Sequence, residues 1–156
     1  MTTETPNQPQ PVVRYAPPPL SPSEERTWAM LANLTVLINL ITGLLGALAA
    51  LVIYLIFRDR SRYVAYHALQ SFLFQLIFWG APGLLIGIVW AATGALSMVL
   101  IGLLCIPFAC VFSLLILLMP VVSLVMGVVA SVETSQGRDF KYWWVGDWVR
   151  GTLTGE

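Results

Sequence analysis

Residues 58–75, RDRSRYVAYHALQSFLFQ, decide how the chain is interpreted, because they form a charged segment between two long apolar runs. Residues 27–57 contain no Asp, Glu, Lys, Arg or His, and residues 68–132 contain none either. The whole chain is 10% charged, whereas soluble domains are about 25% charged. We therefore predict an all-α fold, a polytopic membrane helical bundle whose spans are connected by the basic segment.

The apolar runs are long enough for several spans, since about 20 uncharged residues cross the roughly 30 Å hydrocarbon core of a bilayer. We predict three long, kinked transmembrane helices at about residues 28–57, 65–93 and 97–132. The last of these exceeds one straight span, so a division into two short spans, and hence four in total, stays open. No charged or turn-rich connection divides it, which favours one kinked helix.

Two flanking segments differ in composition from the transmembrane domain, residues 21–135. Residues 1–20 contain six prolines among Thr, Asn and Gln, and they predict a disordered tail. Ser21, Pro22 and Glu24 have the pattern of a helix N-terminus with a capping box. Residues 136–156 interleave aromatic and charged side chains, so they predict a C-terminal tail that lies in the headgroup layer.

The basic loop, residues 58–62, sets the expected orientation. Short loops rich in Lys and Arg stay on the cytoplasmic side of a membrane. With three spans, Arg138, Lys141 and Arg150 of the tail lie on the same side as this loop. The sequence therefore predicts a multi-pass cell membrane protein with its N-terminus outside and its C-terminus inside.

Polar side chains inside or beside the apolar runs are the candidate functional residues. The candidate cluster is Asn39, Arg58, Asp59, His67, Gln70 and Gln75. His67 and Gln75 are two helical turns apart and share a helix face with Ser71. Such residues either bond neighbouring helices or line a polar pathway, and both interpretations stay open.

Small residues mark the predicted helix contacts. Gly43 and Gly46 lie where the first span is expected to bend. Gly83 and Gly87 begin a small-xxx-small ladder that continues through Ala91 and permits a close approach of two helices.

The composition argues against several function classes. The net charge is zero, so no basic field indicates nucleic acid. Cys105 and Cys110 match no metal or redox spacing. The sequence has no paired carboxylates and no Ser/His/Asp set with a suitable acid, so we expect no enzyme, no cofactor and no small-molecule substrate.

Short motifs in a fixed order resemble a known family. The matching pieces are Glu25-Arg26-Thr27-Trp28-Ala29-Met30-Leu31-Ala32, then Arg58-Asp59, Tyr63-Val64, His67-Ala68, Gln70 and Phe74-Gln75, and finally Gly137, Phe140 and Tyr142. Across residues 24–150 the chain resembles a bacterial membrane family labelled domain of unknown function 4870. That family is distantly similar to the magnetosome membrane protein MamF and to the twenty-kilodalton subunit of the chloroplast inner-envelope import translocon. The resemblance implies a multi-span helical protein of undefined activity.

Two functions follow as expectations. The first is a non-enzymatic accessory or scaffold protein that packs with other membrane proteins or with itself in the lipid bilayer. The alternative is a channel or transporter-like component, by analogy with the import translocon. The small-residue ladder motivates the first, and the polar residues within the spans motivate the second.

Overall fold

A computed structural model describes residues 18–154, and this part of the chain is helical, which confirms the predicted all-α class. The α-helices are α1 (Pro22–Leu34), α2 (Asn39–Thr42), α3 (Leu45–Phe57), α4 (Arg62–Gln75), α5 (Ala81–Ser97), α6 (Ile101–Ile116), α7 (Leu118–Ser135) and α8 (Trp143–Thr154). A 3-10 helix, Thr35–Ile38, joins α1 to α2, and a π-helix, Leu76–Gly80, joins α4 to α5. Of the predicted disordered tail, residues 1–17 lie outside the described residues.

The first helix begins where the sequence predicts. The Ser21 side chain accepts a hydrogen bond from the Glu24 backbone N–H, and the Glu24 carboxylate accepts one from the Ser21 backbone. These reciprocal bonds satisfy donors that have no partner inside the helix. They also lower the pKa of Glu24, because they favour its charged form.

The segment predicted as the first span, residues 28–57, is a helical hairpin and not one helix. Helix α2 ends at Thr42, and Gly43 then adopts a φ of 78°, which is strained for residues other than glycine. The chain reverses here, so that Trp28 packs against Phe57 with ring centroids 4.8 Å apart and the ring planes tilted by 42°. The prediction placed the bend correctly near Gly43 but underestimated it, because the hydrogen bonds that hold the reversal come from distant residues.

Two helical segments among the described residues are long and apolar enough to cross a membrane: Arg62–Ser97 and Ile101–Ser135. The first contains the π-helix, which accommodates the missing backbone donor of Pro82. The second is interrupted at Leu117, between α6 and α7. Residues 98–100 connect the two segments, slightly later than the predicted boundary between the spans 65–93 and 97–132.

The helices form a bundle with a long extension. Segments 22–42, 45–57, 62–80 and 117–135 pack side by side, and α8 covers α4 at one end. At 1.5 Å per residue, 21 helical residues give the bundle a height of roughly 30 Å. Helices α5 and α6 continue beyond it by about 25 Å and pack mainly on each other. We call this pair the apolar arm.

Every charged residue among those described lies at the end of the bundle opposite the arm. At this end Ser61 donates a hydrogen bond to Glu25, and Tyr63 donates one to the Arg138 carbonyl. The start of α1, the basic loop and the C-terminal segment are therefore neighbours. The predicted orientation, with the N-terminus outside, depended on one uninterrupted first span; the described start of α1 lies beside the basic loop, and residues 1–17 lie outside the described residues.

Candidate functional site

A first group of buried polar side chains surrounds Gln75. Its amide nitrogen donates to Thr35 Oγ1 and to Ser71 Oγ, each at 2.9 Å. Its amide oxygen accepts from Asn39 Nδ2 at 2.9 Å, and Asn39 Oδ1 in turn accepts from the Gly46 backbone N–H at 2.7 Å. This network ties α4, which contains Gln75 and Ser71, to both sides of the first hairpin. Thr35 and Asn39 lie before the Gly43 turn and Gly46 lies after it.

A second group surrounds Gln70 and reaches the C-terminal segment. Gln70 Nε2 donates to the Phe140 carbonyl at 2.9 Å, and Gln70 Oε1 accepts from the Tyr142 backbone N–H at 3.3 Å. The Tyr142 hydroxyl donates to Asn33 Oδ1 at 3.0 Å. Complete burial raises the pKa of Tyr142, because the phenolate would lose its hydration.

His67 lies at the edge of the second group, and one of its two ring nitrogens is hydrogen-bonded. Its Nδ1 lies 2.9 Å from Gln70 Nε2, which is a donor, so a neutral imidazole carries its proton on Nε2. His67 is fully buried, and its Nε2 has no hydrogen-bond partner among the described residues. The nearest carboxylate oxygen, Asp139 Oδ1, is 3.8 Å from Nε2, which is beyond hydrogen-bond distance.

Asp139 lines an open cleft of about 480 Å³, which we call the interface cleft. Its other lining residues are Arg62, Tyr63, Tyr66, Arg150 and Leu153. Arg150 donates to Asp139 at 2.6 Å and to the Tyr66 hydroxyl at 3.4 Å, with its guanidinium 5.0 Å from the Tyr66 ring centroid. These contacts raise the pKa of Arg150, so its charge persists throughout the physiological range.

The structure divides the predicted polar cluster. Asn39, Gln75, Gln70 and His67 lie in the two buried groups. Arg58 and Asp59 lie apart from them in the exposed loop, where they form an ion pair with each other at 3.3 Å. Their adjacency in sequence explains this pairing, and no contact joins them to the buried amides.

The four predicted packing glycines have different surroundings. Gly43 forms the hairpin turn, and Gly46 is so close to the Thr35 carbonyl that a Cβ would collide with it. Gly83 and Gly87 have no atoms within 4 Å of a hypothetical Cβ. Within the described chain, therefore, the ladder on α5 has no partner.

The sequence interpretation missed Asn33, Tyr66, Asp139 and Arg150 as members of the polar site. Asn33 is an amide inside an apolar helix, which is a usable signal. Asp139 and Arg150 belong to the tail that the sequence predicts in the headgroup layer, and their partners are far away in sequence. Arg150 and Tyr66, for example, are 84 residues apart.

Comparison with known proteins supports part of the expected resemblance. The model of the magnetosome magnetite crystal formation protein family, MamF and MmsF, matches residues 24–149. This match begins in α1 and ends in α8, so it includes the hairpin and the arm. Of the residues that line the interface cleft, Arg150 and Leu153 lie beyond the match. No curated protein and no solved structure matches the chain. The similarity to family 4870 and to the chloroplast translocon subunit stays a prediction.

Proposed function

The chain belongs to the magnetosome magnetite crystal formation protein family, and on that premise we propose that it is a non-enzymatic accessory protein of a mineral-forming membrane compartment. In this proposal the protein assembles with a second copy of itself through the apolar arm. The observation that carries the proposal is the exposure of that arm. The family match supports a membrane-associated accessory role in general terms.

The arm presents far more apolar surface than it buries. Of its residues only Pro82, Thr93, Gly102 and Ala109 are buried. Leu84, Ile88, Leu104 and Phe108 are more than half exposed, and none of residues 63–132 is Asp, Glu, Lys or Arg. A surface of this kind is stable only in contact with lipid or with other apolar protein.

The length of the helical segment that ends in the arm argues for contact with protein as well as lipid. Arg62–Ser97 has 36 residues, so at 1.5 Å per residue it is about 54 Å long, against roughly 30 Å of hydrocarbon core. Tilting alone still leaves part of the apolar helix longer than the hydrocarbon core. Association with another helix is one way to cover this excess length.

The partner we propose is a second copy, because the exposed ladder of α5 is self-complementary. Gly83 and Gly87 leave a shallow groove in which the same face of another α5 fits closely. The arm has no charge that would select a different partner by electrostatic complementarity. A two-fold arrangement would bring identical surfaces together, which is the commonest form of homodimer.

The buried polar groups support an accessory role over a pathway for solutes. The amides of Gln75, Gln70 and Asn39 are engaged in internal hydrogen bonds. Ser71 Oγ bonds to the Ala32 carbonyl and to Gln75, not to His67, so the pair lacks the geometry of a nucleophile with its base. Purified protein in vesicles should show no permeability to ions or small solutes above empty vesicles.

The substitution Gly87→Leu tests self-association. A Cβ at position 87 meets no atom within 4 Å, and leucine is favoured over glycine in a helix by roughly 0.8 kcal/mol, so the monomer should keep its stability. We expect the variant to run as a monomer on native gels and in light scattering, whereas the unchanged protein is a dimer.

Val52→Leu is a matched control, because Val52 is exposed on α3, outside the arm. It places the same leucine side chain on an exposed position outside the arm, enlarging the native valine by one carbon, and should leave the dimer intact. If the Gly87→Leu variant keeps the oligomer mass of the unchanged protein, the arm is not the interface. If the unchanged protein is monomeric but forms a stoichiometric complex with another membrane protein, the proposed homodimer is wrong and that protein is the partner.

A further inference from the structure

The apolar arm joins the bundle at a level where both of its helical legs are irregular. On the outgoing leg the π-helix, Leu76–Gly80, is followed closely by Pro82. On the returning leg the helix is interrupted at Leu117, three residues before Pro120. Residues of both irregularities line one cavity of about 540 Å³, so they lie side by side. We propose that this level is a hinge, and that in a bilayer the arm bends there over the tip of the first hairpin.

Both legs lack backbone hydrogen bonds that would resist such a bend. Pro82 and Pro120 have no N–H, so neither can bond the carbonyl group one turn earlier in its helix. Sharp bends in helices almost always occur at prolines or at π-bulges, and hinges consist of a few residues near the ends of elements. Helices α5 and α6 pack mainly on each other, so the arm can move as one unit.

The cavity gives the bend its direction. Its walls come from the hairpin tip at residues 40–44, from the base of α5 and from the start of α7. A bend toward the hairpin closes this space, whereas a bend away from it opens the space further. Leu40 on the hairpin is 62% exposed and Leu84 on the arm is 66% exposed. Closure brings these two walls into contact, and close packing is what holds membrane helices together.

The length of the arm supplies the reason to bend. Every charged residue among residues 18–154 lies at the other end of the bundle, and the bundle itself is about as high as the roughly 30 Å hydrocarbon core. A straight arm would therefore place about 25 Å of apolar helix beyond the far surface of the bilayer. Exposing this surface to water is unfavourable. Kinking is one of the ways in which a long apolar helix fits a thinner bilayer.

The hinge does not rest on the proposed dimer. Of the small-residue ladder on α5, Gly83 lines the cavity and Gly87 does not. The two proposals also concern different quantities, since a distance within one chain reports the hinge and the mass of the assembly reports the dimer. Either one can therefore fail without the other.

The test measures the distance between the hairpin tip and the end of the arm. Spin labels are attached to Ile41→Cys and Met98→Cys, both highly exposed positions, in the full chain with Cys105 and Cys110 replaced by alanine. Dipolar spectroscopy is performed in a thin and in a thick bilayer, with excess unlabelled chain to suppress distances between copies. The separation should be shorter in the thin bilayer by up to roughly 10 Å, because an arm of about 25 Å swings beside a hairpin about 10 Å away.

Two controls make the result specific to the hinge. Labels at Ile41→Cys and Arg58→Cys lie within the first hairpin, and their separation should be the same in both bilayers. Pro82→Ala restores a backbone donor at the hinge and should reduce the difference between the bilayers, whereas Pro107→Ala, inside α6 and outside the cavity, should not. An equal separation of positions 41 and 98 in both bilayers, an equal change in the control pair, or equal effects of the two proline substitutions would overturn the hinge.

Discussion

The substitution Gln75→Met tests whether the buried amide network holds the first hairpin against α4. Methionine has nearly the length of glutamine and a similar helix propensity, so it fills the same space without the amide. It removes the donors to Thr35 and Ser71, and it leaves Asn39 Nδ2 without its acceptor. The change therefore isolates three hydrogen bonds from packing.

The expected loss follows from those three bonds. Side-chain hydrogen bonds between membrane helices average about 0.6 kcal/mol and reach about 1.7 kcal/mol. Three of them give about 2 kcal/mol, with an upper bound near 5 kcal/mol if Asn39 finds no other partner. For a chain of this size, about 2 kcal/mol lowers the melting temperature by roughly 4–8 °C.

The assay is reversible unfolding in mild detergent, followed by tryptophan fluorescence. Gln136→Met is the matched control, because Gln136 is exposed beyond α7, and the same chemical change there should alter stability by no more than about 0.5 kcal/mol. Adding Ser71→Ala to Gln75→Met should cost less than the sum of the two changes, since both remove one shared bond. Equal stabilities of Gln75→Met and Gln136→Met would refute the network as a stabilising element.

Two further predictions concern the hairpin and the C-terminal segment. Gly46→Ala should destabilise the protein by about 1–3 kcal/mol, because the new methyl group collides with the Thr35 carbonyl and Asn39 Oδ1. Thermal unfolding compares it with the control Gly94→Ala, whose Cβ meets no atom within 4 Å. Equal melting temperatures of the two variants would contradict the prediction. Because burial raises the pKa of Tyr142 above the ordinary value of 10.0, the unfolded chain ionises first, and stability should fall as the pH rises above about 10. Tyr142→Phe should lose about 1 kcal/mol at neutral pH, through the bond to Asn33, and should show a weaker alkaline decline; an unchanged alkaline decline would assign the titration to another group.

The features that the sequence predicted well depend on neighbouring residues. The capping box of α1 is formed by Ser21 and Glu24, three positions apart, and the pattern alone identifies it. The apolar runs and their lack of charge likewise predicted the helical class, and two of the three predicted spans, 65–93 and 97–132, lie within the segments that are long and apolar enough to cross a membrane, apart from a few residues at one end. Such signals are local, so no tertiary contact is needed to interpret them.

The features that the sequence could not predict depend on distant partners. The reversal after α2 is held by Asn39, which bonds both Gly46 and Gln75, and Gln75 is 36 residues away. A charge-free run gives no indication that it folds back on itself, so it was interpreted as one span. The interface cleft also combines residues from α4 and α8, whose spacing follows no motif.

The location of all described charges at one end of the bundle has a consequence for how the chain could enter a bilayer. Moving an Arg, Lys or Asp across the hydrocarbon core costs about 2.5–3.5 kcal/mol even by translocon-based measures. The two far turns, at residues 43–44 and 98–100, contain only glycine and apolar residues. Both hairpins could therefore insert from the side on which the charges remain, and no charged side chain of residues 18–154 would have to cross the membrane.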